Sequence, residues 1–506
     1  MNLTNRDASE SSAGRQSWQQ KLAKIAWAFF LIALPVTSFP LFPGDVGGKT
    51  LVRPLSIYPL IILLALVTLP RFLKRPLPKT FLPLLAFIVV ALVSSVVSFG
   101  SDLESLRGVT ILSRFLRNIA TLGIGVSFYF TVALMAESLD DLDSSLRWLY
   151  LGFGIALLWG TLQALYIVHY HPTYFEWLNR LQSLISTRKL FTARISGMTY
   201  EPKWFAEQIS FVLLPWLLGS ILTRRSLFSW RLRMKGKLAW VSVEWLLLVW
   251  SVVILLFTFS RTGIFILFGL TLLCFLLYRL YLQPRQKIEK PALEPSSAAS
   301  RSSSTAGKKR KLLLEIGLLV SSMLVVLVVI GSQSAYFSRF WRYFTEARQR
   351  NRTYLDFIAV QQRFTYFETA YRIFETYPLV GVGLGNYAFY FDEMLPDQIY
   401  FQPEIIRQTT PEEGRDRLIT PKNLIARLLS ETGILGTAAF IAFILAILGC
   451  VLYLLAQPDL RFRYWGLSGL LAFVVFGVVV FSFDSFALPN MWVVFGLITA
   501  AAHLEK

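Results

Sequence analysis

The chain has 506 residues, of which 55% are hydrophobic and only 16% are charged, and its mean hydropathy is +0.53. A soluble globular domain carries about 25% charged residues, so this composition excludes an ordinary soluble protein and indicates a membrane protein. The formal net charge is +19, but the basic residues cluster in short segments between apolar blocks, which is typical of membrane topology signals and not of a nucleic-acid-binding surface.

The apolar blocks have the length of transmembrane helices. Crossing about 30 Å of hydrocarbon takes about 20 helical residues, and backbone polar groups in lipid must be hydrogen-bonded within the segment. About 12 blocks meet this requirement, so the sequence predicts an all-α, polytopic membrane helical bundle. The predicted spans lie near 23–42, 54–70, 80–99, 117–136, 148–169, 203–222, 239–259, 262–282, 312–331, 434–456, 463–483 and 486–503.

These spans divide the chain into successive regions. Residues 1–22 are predicted to form a cytoplasmic tail, and residues 23–331 contain the first nine spans. A Ser/Ala-rich linker at about 284–311 has no apolar periodicity and is predicted to be disordered. Residues 332–424 form a long loop, and 425–506 contain the last three spans. Loops longer than about 15 residues tend to carry function, which makes 332–424 a candidate functional segment.

Basic residues mark alternate loops of the predicted bundle. Cytoplasmic loops carry the excess of Lys and Arg, so these loops and both termini are predicted to be cytoplasmic, and the long loop is predicted to be external. Residues 137–147 are an exception, because four of their five charged residues are acidic. A polar segment of about 20 residues precedes the first long apolar block, so no cleaved signal peptide is expected. The basic segments lie at 71–79, 224–237, 285–311 and 461–463.

Arg194 and Glu201 lie in the external segment before the sixth predicted span. Pro202 suits the first turn of a helix, and an acidic residue beside it is favourable at the positive helix end. Glu201 is therefore interpreted either as a capping carboxylate or as a base for an incoming sugar hydroxyl.

Arg261 lies in a short turn between the seventh and eighth predicted spans. The turn has almost no loop to lift the guanidinium into water, and no acidic residue is near it in the sequence. An ionisable group at such a position either snorkels to the interface or is functional. Both alternatives stay open for Arg261.

Arg363 lies on a predicted helix at 355–377 in the long loop. Its neighbours three and four positions away include Tyr366 but no acidic residue, whereas Arg372 has Glu368 four positions before it. Arg372 is therefore predicted to be an ordinary paired surface charge. Arg363 is either solvated or paired through the tertiary structure, or it binds a phosphate, which suits the planar guanidinium.

Gly381, Gly383 and Gly385 follow Pro378, which marks the end of the predicted helix. No strand precedes them, so the glycines are interpreted as a tight turn and not as a dinucleotide loop. A backbone nest for a phosphate is the alternative.

Lys422 and Asn423 precede an amphipathic helix that leads into the tenth predicted span. They place a cation at the start of that helix. Asp484, at the outer end of the eleventh span, either neutralises one of the arginines or lies at the interface. The two cysteines, Cys274 and Cys450, lie inside apolar blocks and give no disulfide framework or zinc-binding spacing.

Four of these segments together resemble the O-antigen ligase and polymerase family, which also includes exopolysaccharide polymerases. The resemblance covers residues from about 190 to 450, and the earlier spans match only in hydropathy. The segments are Arg194-Ile195-Ser196-Gly197 with Glu201-Pro202, Ser260-Arg261-Thr262-Gly263, Arg363 with the glycine-rich residues 377–387, and Asn423-Leu424 with residues 430–436.

The resemblance implies a glycosyltransferase with a fold similar to the GT-C class in a bacterial inner (plasma) membrane. Such proteins take a glycan from an undecaprenyl diphosphate carrier on the periplasmic side and use no metal, nucleotide sugar or other cofactor. The expected product is O-antigen of lipopolysaccharide, or exopolysaccharide. The expected partners are the lipid-linked glycan and the bilayer, with a chain-length regulator as a further candidate and no nucleic acid.

The resemblance also implies roles for particular residues. Arg194 and Arg261, with Arg363 as a third candidate, would hold the diphosphate and stabilise the charge that grows on it as it leaves. The family's ligases carry a histidine just before the asparagine of the last segment, where this chain has Lys422, and a lysine is a poor base unless its pKa is strongly lowered. This departure favours a polymerase over a ligase. The predicted catalytic residues are Arg194, Arg261, Glu201 and Lys422, and the predicted diphosphate- or glycan-binding residues are Arg363, Tyr366, Gly383 and Asn423.

Two other functions fit part of the pattern. About 12 spans are common in transporters, including flippases of lipid-linked glycans, but that class places polar residues and broken helices near the midplane, whereas here the polar residues gather at the outer ends. A cell-wall glycan polymerase of the shape, elongation and division type has a broadly similar layout. The long loop with its glycine-rich turn favours the O-antigen ligase and polymerase family over this class of cell-wall polymerase.

Overall fold

A computed structural model describes residues 4–41, 51–101, 103–228, 231–232, 241–279, 321, 361–396, 403–409 and 418–504. Apart from one antiparallel pair of two-residue strands, β1 (Arg231–Leu232) and β2 (Val241–Ser242), the regular structure of these residues is helical.

The helices of the described residues are numbered in chain order. They are α1 (Thr4–Ile32), α2 (Ile57–Lys74), α3 (Phe81–Gly100), α4 (Ile111–Met135), α5 (Leu139–Val168), α6 (Pro172–Ile185), α7 (Pro202–Thr223), α8 (Val243–Phe257), α9 (Arg261–Leu277), α10 (Gln361–Thr376), α11 (Tyr387–Tyr390), α12 (Pro403–Thr409), α13 (Leu424–Ala456), α14 (Leu460–Val479) and α15 (Pro489–His503).

Seven helices of the described residues are long and apolar enough to cross a membrane, namely α2, α3, α4, α5, α7, α13 and α14. Helices α8 and α9 are equally apolar but have 15 and 17 residues. The predicted all-α, polytopic membrane fold is thus confirmed, while the number of spans stays a prediction. The predicted span at 312–331, except for residue 321, and the predicted linker at 284–311 lie outside the described residues.

Helices α1 and α13 are two of the helices whose bounds differ from the predicted spans, and local features accompany the differences. Helix α1 begins at Thr4, within the predicted tail, and ends at Ile32, well before the predicted end at 42. Pro35 follows, and a proline neither donates a helical hydrogen bond nor lets the preceding residue stay helical. Helix α13 begins before its predicted span, but Gly433 (φ 60°, ψ −162°) interrupts it next to the predicted start at 434.

Helix α7 lies at the centre of the bundle. Of the residues in its most apolar segment, 83% are buried, against 28% for α13. It packs on α8 and α14, while α13 packs on α3 and α14, and α15 packs on α4. Among the described tryptophans three are fully buried, and Trp216 of α7 lies with its ring centre 5.0 Å from that of Trp465. Large apolar side chains therefore fix the helix around which the others pack.

The acidic segment at 137–147 lies at the same end of the bundle as basic loops. Arg71 donates to Glu137 at 2.7 Å, and Arg461 lies 3.0 Å from Asp143. The acidic residues that interrupt the charge pattern of the sequence thus pair with arginines of neighbouring loops. We call this end of the molecule the basic-loop end.

Candidate functional site

Most of the predicted site residues lie at the end of the bundle opposite the basic-loop end. Helix α7 connects the two ends. Arg225, just beyond its last turn, pairs with Asp143 of the basic-loop end, whereas Glu201 immediately precedes its first residue, Pro202. The predicted start of a helix at Pro202 is correct.

The first group of site residues is the corner formed by Arg194 and the turn before Arg261. The Arg194 Nε donates to the Thr258 carbonyl at 3.0 Å, next to the end of α8. The Ser260 hydroxyl accepts from the Gly263 amide at 3.3 Å and caps α9, whose first residue is Arg261. Two segments far apart in the chain thus meet here, and both arginines interact further within the protein. We call this the Arg194–Arg261 corner.

Phe259 lies in the middle of this turn in the left-handed region, with φ of 47°. Such a conformation costs about 1–3 kcal/mol in a residue other than glycine and persists only where the surroundings fix it. The turn that positions Arg261 is therefore held by its packing and not by its own conformational preference.

Glu201 is the N-cap residue of α7, but its side chain makes no capping hydrogen bond. Instead its carboxylate pairs with Arg188 at 3.2 Å, and the two side chains are 37% (Arg188) and 40% (Glu201) exposed. The capping interpretation of the Glu201 carboxylate is thus wrong, because a cation from the preceding segment competes for it. An exposed pair of this kind contributes about 1 kcal/mol or less, so the carboxylate can exchange Arg188 for another partner.

The second group of site residues surrounds the Lys422 side chain. Its Nζ forms an ion pair with Glu404 of α12, donates to the Tyr366 hydroxyl at 3.2 Å, and lies 4.6 Å from the centre of the Tyr366 ring. Tyr366 is buried and also donates to Glu404 at 3.2 Å. The structure thus brings together Lys422 and Tyr366, which the sequence analysis selected independently, and adds Glu404.

The backbone amide and carbonyl of Lys422 are both hydrogen-bonded as well. Its amide donates to Asp484 Oδ2 at 2.8 Å, and its carbonyl accepts from Arg363 Nη1 at 3.5 Å. In the described contacts the Asp484 carboxylate therefore binds a backbone amide. Its charge also stabilises that of the buried Arg427, whose Nη1 donates to the Asp484 carbonyl, so of the two alternatives for Asp484 the contacts favour neutralisation of an arginine. Lys422 has φ of 53°, and this conformation turns its amide toward Asp484. We call these residues the Arg363–Lys422 corner.

The pKa of the Lys422 ammonium group is lowered to about 8. Burial is the main cause, since the side chain is 29% exposed, and the positive charge of Arg363 adds to it. Asp484 and Glu201 act in the opposite direction. The condition that the sequence analysis set for a lysine base, a lowered pKa, is therefore met at Lys422.

Asn423 caps helix α13. Its Oδ1 accepts from the amides of Ile425 at 2.9 Å and Ala426 at 3.2 Å. This is the usual role of an asparagine at a helix start, and it occupies the side-chain oxygen. A contact of Asn423 with substrate would therefore involve its side-chain nitrogen, and this contact stays a prediction.

The glycine-rich residues form the predicted tight turn, and all three glycines have positive φ. The turn docks on the break in α13, since Val382 donates to the Ser430 carbonyl and Gly383 to the Glu431 carbonyl, each at 3.0 Å. The amides of Val382 and Gly383 are thus occupied, which argues against a phosphate nest at these two residues. The observed role of Gly383 is to allow a positive φ of 94° and the close approach of the Ser98 and Asn386 side chains, which would lie 2.7 and 2.8 Å from an added Cβ.

A prediction follows for Gly381, where an added Cβ would lie 2.6 Å from Glu431 C and from Thr432 N. We expect Gly381→Ala to lower the free energy of unfolding by about 2–3 kcal/mol, through this overlap and the positive φ. Gly449→Ala is the matched control, because no atom lies within 4 Å of its added Cβ. Thermal unfolding of both purified variants in detergent measures the effect. Equal midpoints would show that the turn is not docked on α13.

The structure shows a buried charged network beneath the turn that the sequence analysis missed. Arg427 donates through Nε to Glu431 Oε2 at 2.8 Å and through Nη2 to Asn118 Oδ1 at 2.7 Å. Arg114 donates to the Gly385 carbonyl at 2.7 Å. All four side chains of this network are buried. The i, i+4 spacing of Arg427 and Glu431 was the available signal.

A second missed pair lies in the first turns of α7. Lys203 and Glu207 are also four residues apart, and their charged groups lie 3.6 Å from each other. The Ser482 hydroxyl donates to Glu207. Two ionisable residues at the start of a predicted span were a signal of a functional position.

The model of the family described as O-antigen ligase matches residues 246–441. This chain carries an O-antigen ligase family domain. The resemblance noted in the sequence is thus confirmed by an independent comparison, whereas no curated protein matches the chain.

The O-antigen ligase family domain contains most of the site described above. The family acts in a membrane on lipid-linked glycans, as a ligase or a polymerase, and this general function applies to the chain. Arg194 and Glu201 lie before the matched segment and join the site through their contacts in the fold. The predicted site residues inside the match are Arg261, Arg363, Tyr366, Gly383, Lys422 and Asn423.

A cleft of about 870 Å³ lies at the basic-loop end, between α1, α2 and α5. Charged side chains of both signs line it, among them Lys24, Arg71, Glu137 and Asp141, and the predicted site residues do not. This cleft therefore lies apart from the predicted site residues.

Proposed function

We propose that this protein polymerises glycan repeat units carried on undecaprenyl diphosphate, on the periplasmic face of a bacterial inner membrane. The supporting observation is the placement of the Arg194–Arg261 and Arg363–Lys422 corners at one end of a membrane bundle with an O-antigen ligase family domain. In this proposal both termini are cytoplasmic, as the loop charges predict.

The arginines have the role of binding the diphosphate of the donor. Guanidinium groups form paired, charge-assisted hydrogen bonds with phosphate oxygens. Negative charge grows on the diphosphate as the glycosidic bond to it breaks, so cations already in place stabilise the transition state more than the ground state. Arg194, Arg261 and Arg363 are the candidates for this role.

Lys422 has the role of accepting the proton of the attacking sugar hydroxyl. Its neutral Nζ takes the proton, the hydroxyl oxygen bonds to the anomeric carbon of the donor, and the bond from that carbon to the diphosphate oxygen breaks. The Lys422 ammonium formed in this step is then stabilised by Glu404 and by the ring of Tyr366. Glu201, which can exchange Arg188 for another partner, is the second candidate base.

The preference for a polymerase rests on Lys422, which stands where ligases of the family carry a histidine. The test is deletion of the gene, followed by gel electrophoresis of the surface polysaccharide and restoration with the wild-type gene. We expect the ladder of chain lengths to collapse to single repeat units. Free polymer that never reaches lipid A would instead show a ligase.

A transporter or flippase of lipid-linked glycans is the alternative function. It predicts movement of the lipid-linked glycan across the membrane without a new glycosidic bond. Purified protein in sealed vesicles separates the two, since a polymerase lengthens the glycan and a flippase only changes its side. Translocation without lengthening would exclude the proposed reaction.

A further inference from the structure

The first turn of α7 lies between the two cationic corners. On one side, Phe205 packs so closely on Gly197 that a Cβ there would lie 2.7 Å from its ring, and Ala206 lies against Gly263 of α9. These contacts join the turn to the Arg194–Arg261 corner. Lys203 and Glu207 lie on another face of the same turn and contact the segment after α14.

Lys203 is held in place by a hydrogen bond to a backbone carbonyl and by an ion pair. Its Nζ donates to the Ser482 carbonyl and lies 3.6 Å from Glu207. The Glu207 side chain is only 3% exposed and also accepts from the Ser482 hydroxyl. Lys203 is 23% exposed, so of the two partners the lysine is the one that an incoming ligand can reach.

The positive charge of Lys203 interacts electrostatically with the residues of the Arg363–Lys422 corner. Lys203 and Arg363 repel each other, and each also repels the Lys422 ammonium group. Glu201 and Asp484 offset part of this repulsion. Cations from three separate segments thus share one electrostatic environment, and an anion bound among them would relieve their mutual repulsion.

We propose that Lys203 is a further ligand of the donor diphosphate, and that Glu207 and Ser482 position it. This inference rests on the proposed function. A diphosphate has two phosphoryl groups, and the lysine lies between the corner of Arg194 and Arg261 and the corner of Arg363 and Lys422. An ammonium group binds a phosphate oxygen as a compact point charge, and Lys203 has three donor hydrogens for its partners.

The structural alternative is that Lys203 only neutralises the buried Glu207. Removing one partner of a buried pair leaves an uncompensated charge and destabilises the fold. Lys203→Met alone therefore cannot separate the two roles. The double variant Lys203→Met/Glu207→Gln can, because it removes both charges and leaves Ser482 able to hydrogen-bond the glutamine.

The experiment measures binding of undecaprenyl diphosphate and undecaprenyl monophosphate to the purified full-length protein in nanodiscs. We expect the double variant to bind the diphosphate about tenfold more weakly and to lose most of the preference for diphosphate over monophosphate. Glu207→Gln with Lys203 retained should keep that preference. Lys189→Met, which removes an exposed lysine before α7, should match the wild type.

Two outcomes overturn the inference in distinguishable ways. Wild-type affinity and preference in the double variant would show that Lys203 serves only Glu207, while the proposed function stands. If the wild-type protein bound undecaprenyl diphosphate and undecaprenyl monophosphate equally well, it would have no diphosphate site. Both proposals would then fail.

Discussion

Replacing Arg261 or Arg194 with alanine should abolish the polymer while the folded protein stays in the membrane. Loss of one preorganised donor to a developing negative charge lowers the rate by about 10²–10³-fold. The start of α9 is capped by the Ser260 hydroxyl, and so does not depend on the Arg261 side chain. The measurements are the glycan ladder in cells and the turnover of lipid-linked glycan by purified protein.

Arg372→Ala is the matched control for this prediction. It removes the same charge from the same end of the bundle, but Arg372 pairs with Glu368 at 3.0 Å on the surface, as the sequence predicted. We expect its polymer to match the wild type. Normal chain lengths in both Arg194→Ala and Arg261→Ala would rule out their role in the reaction.

Replacing Lys422 with arginine should lower the rate by about 10²–10⁴-fold although the positive charge is kept. A guanidinium group does not release its proton near neutral pH, so it cannot act as the base, and general base catalysis contributes a factor of this size. If the residue at position 422 only attracted a phosphate, an arginine there would keep the rate close to that of the wild type. The rate of Lys422→Arg thus separates proton transfer from charge.

The pH dependence of the wild type provides the second readout for Lys422. The base is the neutral amine, and its fraction increases as the pH rises through the pKa of about 8. The rate should therefore increase with pH, reach half of its maximum at about 8 and level off about one to two pH units higher. Lys422→His should restore part of the rate lost in Lys422→Arg and move the midpoint toward about 6.5.

Either of two results would contradict the assignment of Lys422 as the base. One is a Lys422→Arg enzyme with the wild-type rate, which would leave Lys422 as a phosphate-binding cation. The other is a wild-type rate that falls as the pH rises through about 8, because the active form would then be the ammonium. Glu201→Gln would be the next variant to assay in both cases.

The sequence by itself determined the features that depend on neighbouring residues. Apolar blocks of membrane-spanning length define the bundle, Pro202 and Asn423 mark the starts of α7 and α13, and the glycine-rich residues form a turn because glycine alone adopts positive φ without strain. The pairing of Arg372 with Glu368 was also predictable, since both residues lie on one helical face.

Only the tertiary structure decided which charged groups from separate segments meet. Glu201 pairs with Arg188 and does not cap α7, Asp484 binds the backbone of Lys422, and Glu404 contacts the Lys422 side chain. Each partner comes from a segment with no fixed sequence spacing to the other, so its position depends on how the helices pack. Burial within that packing also lowers the pKa of Lys422, since desolvation exists only once the chain has folded around the group.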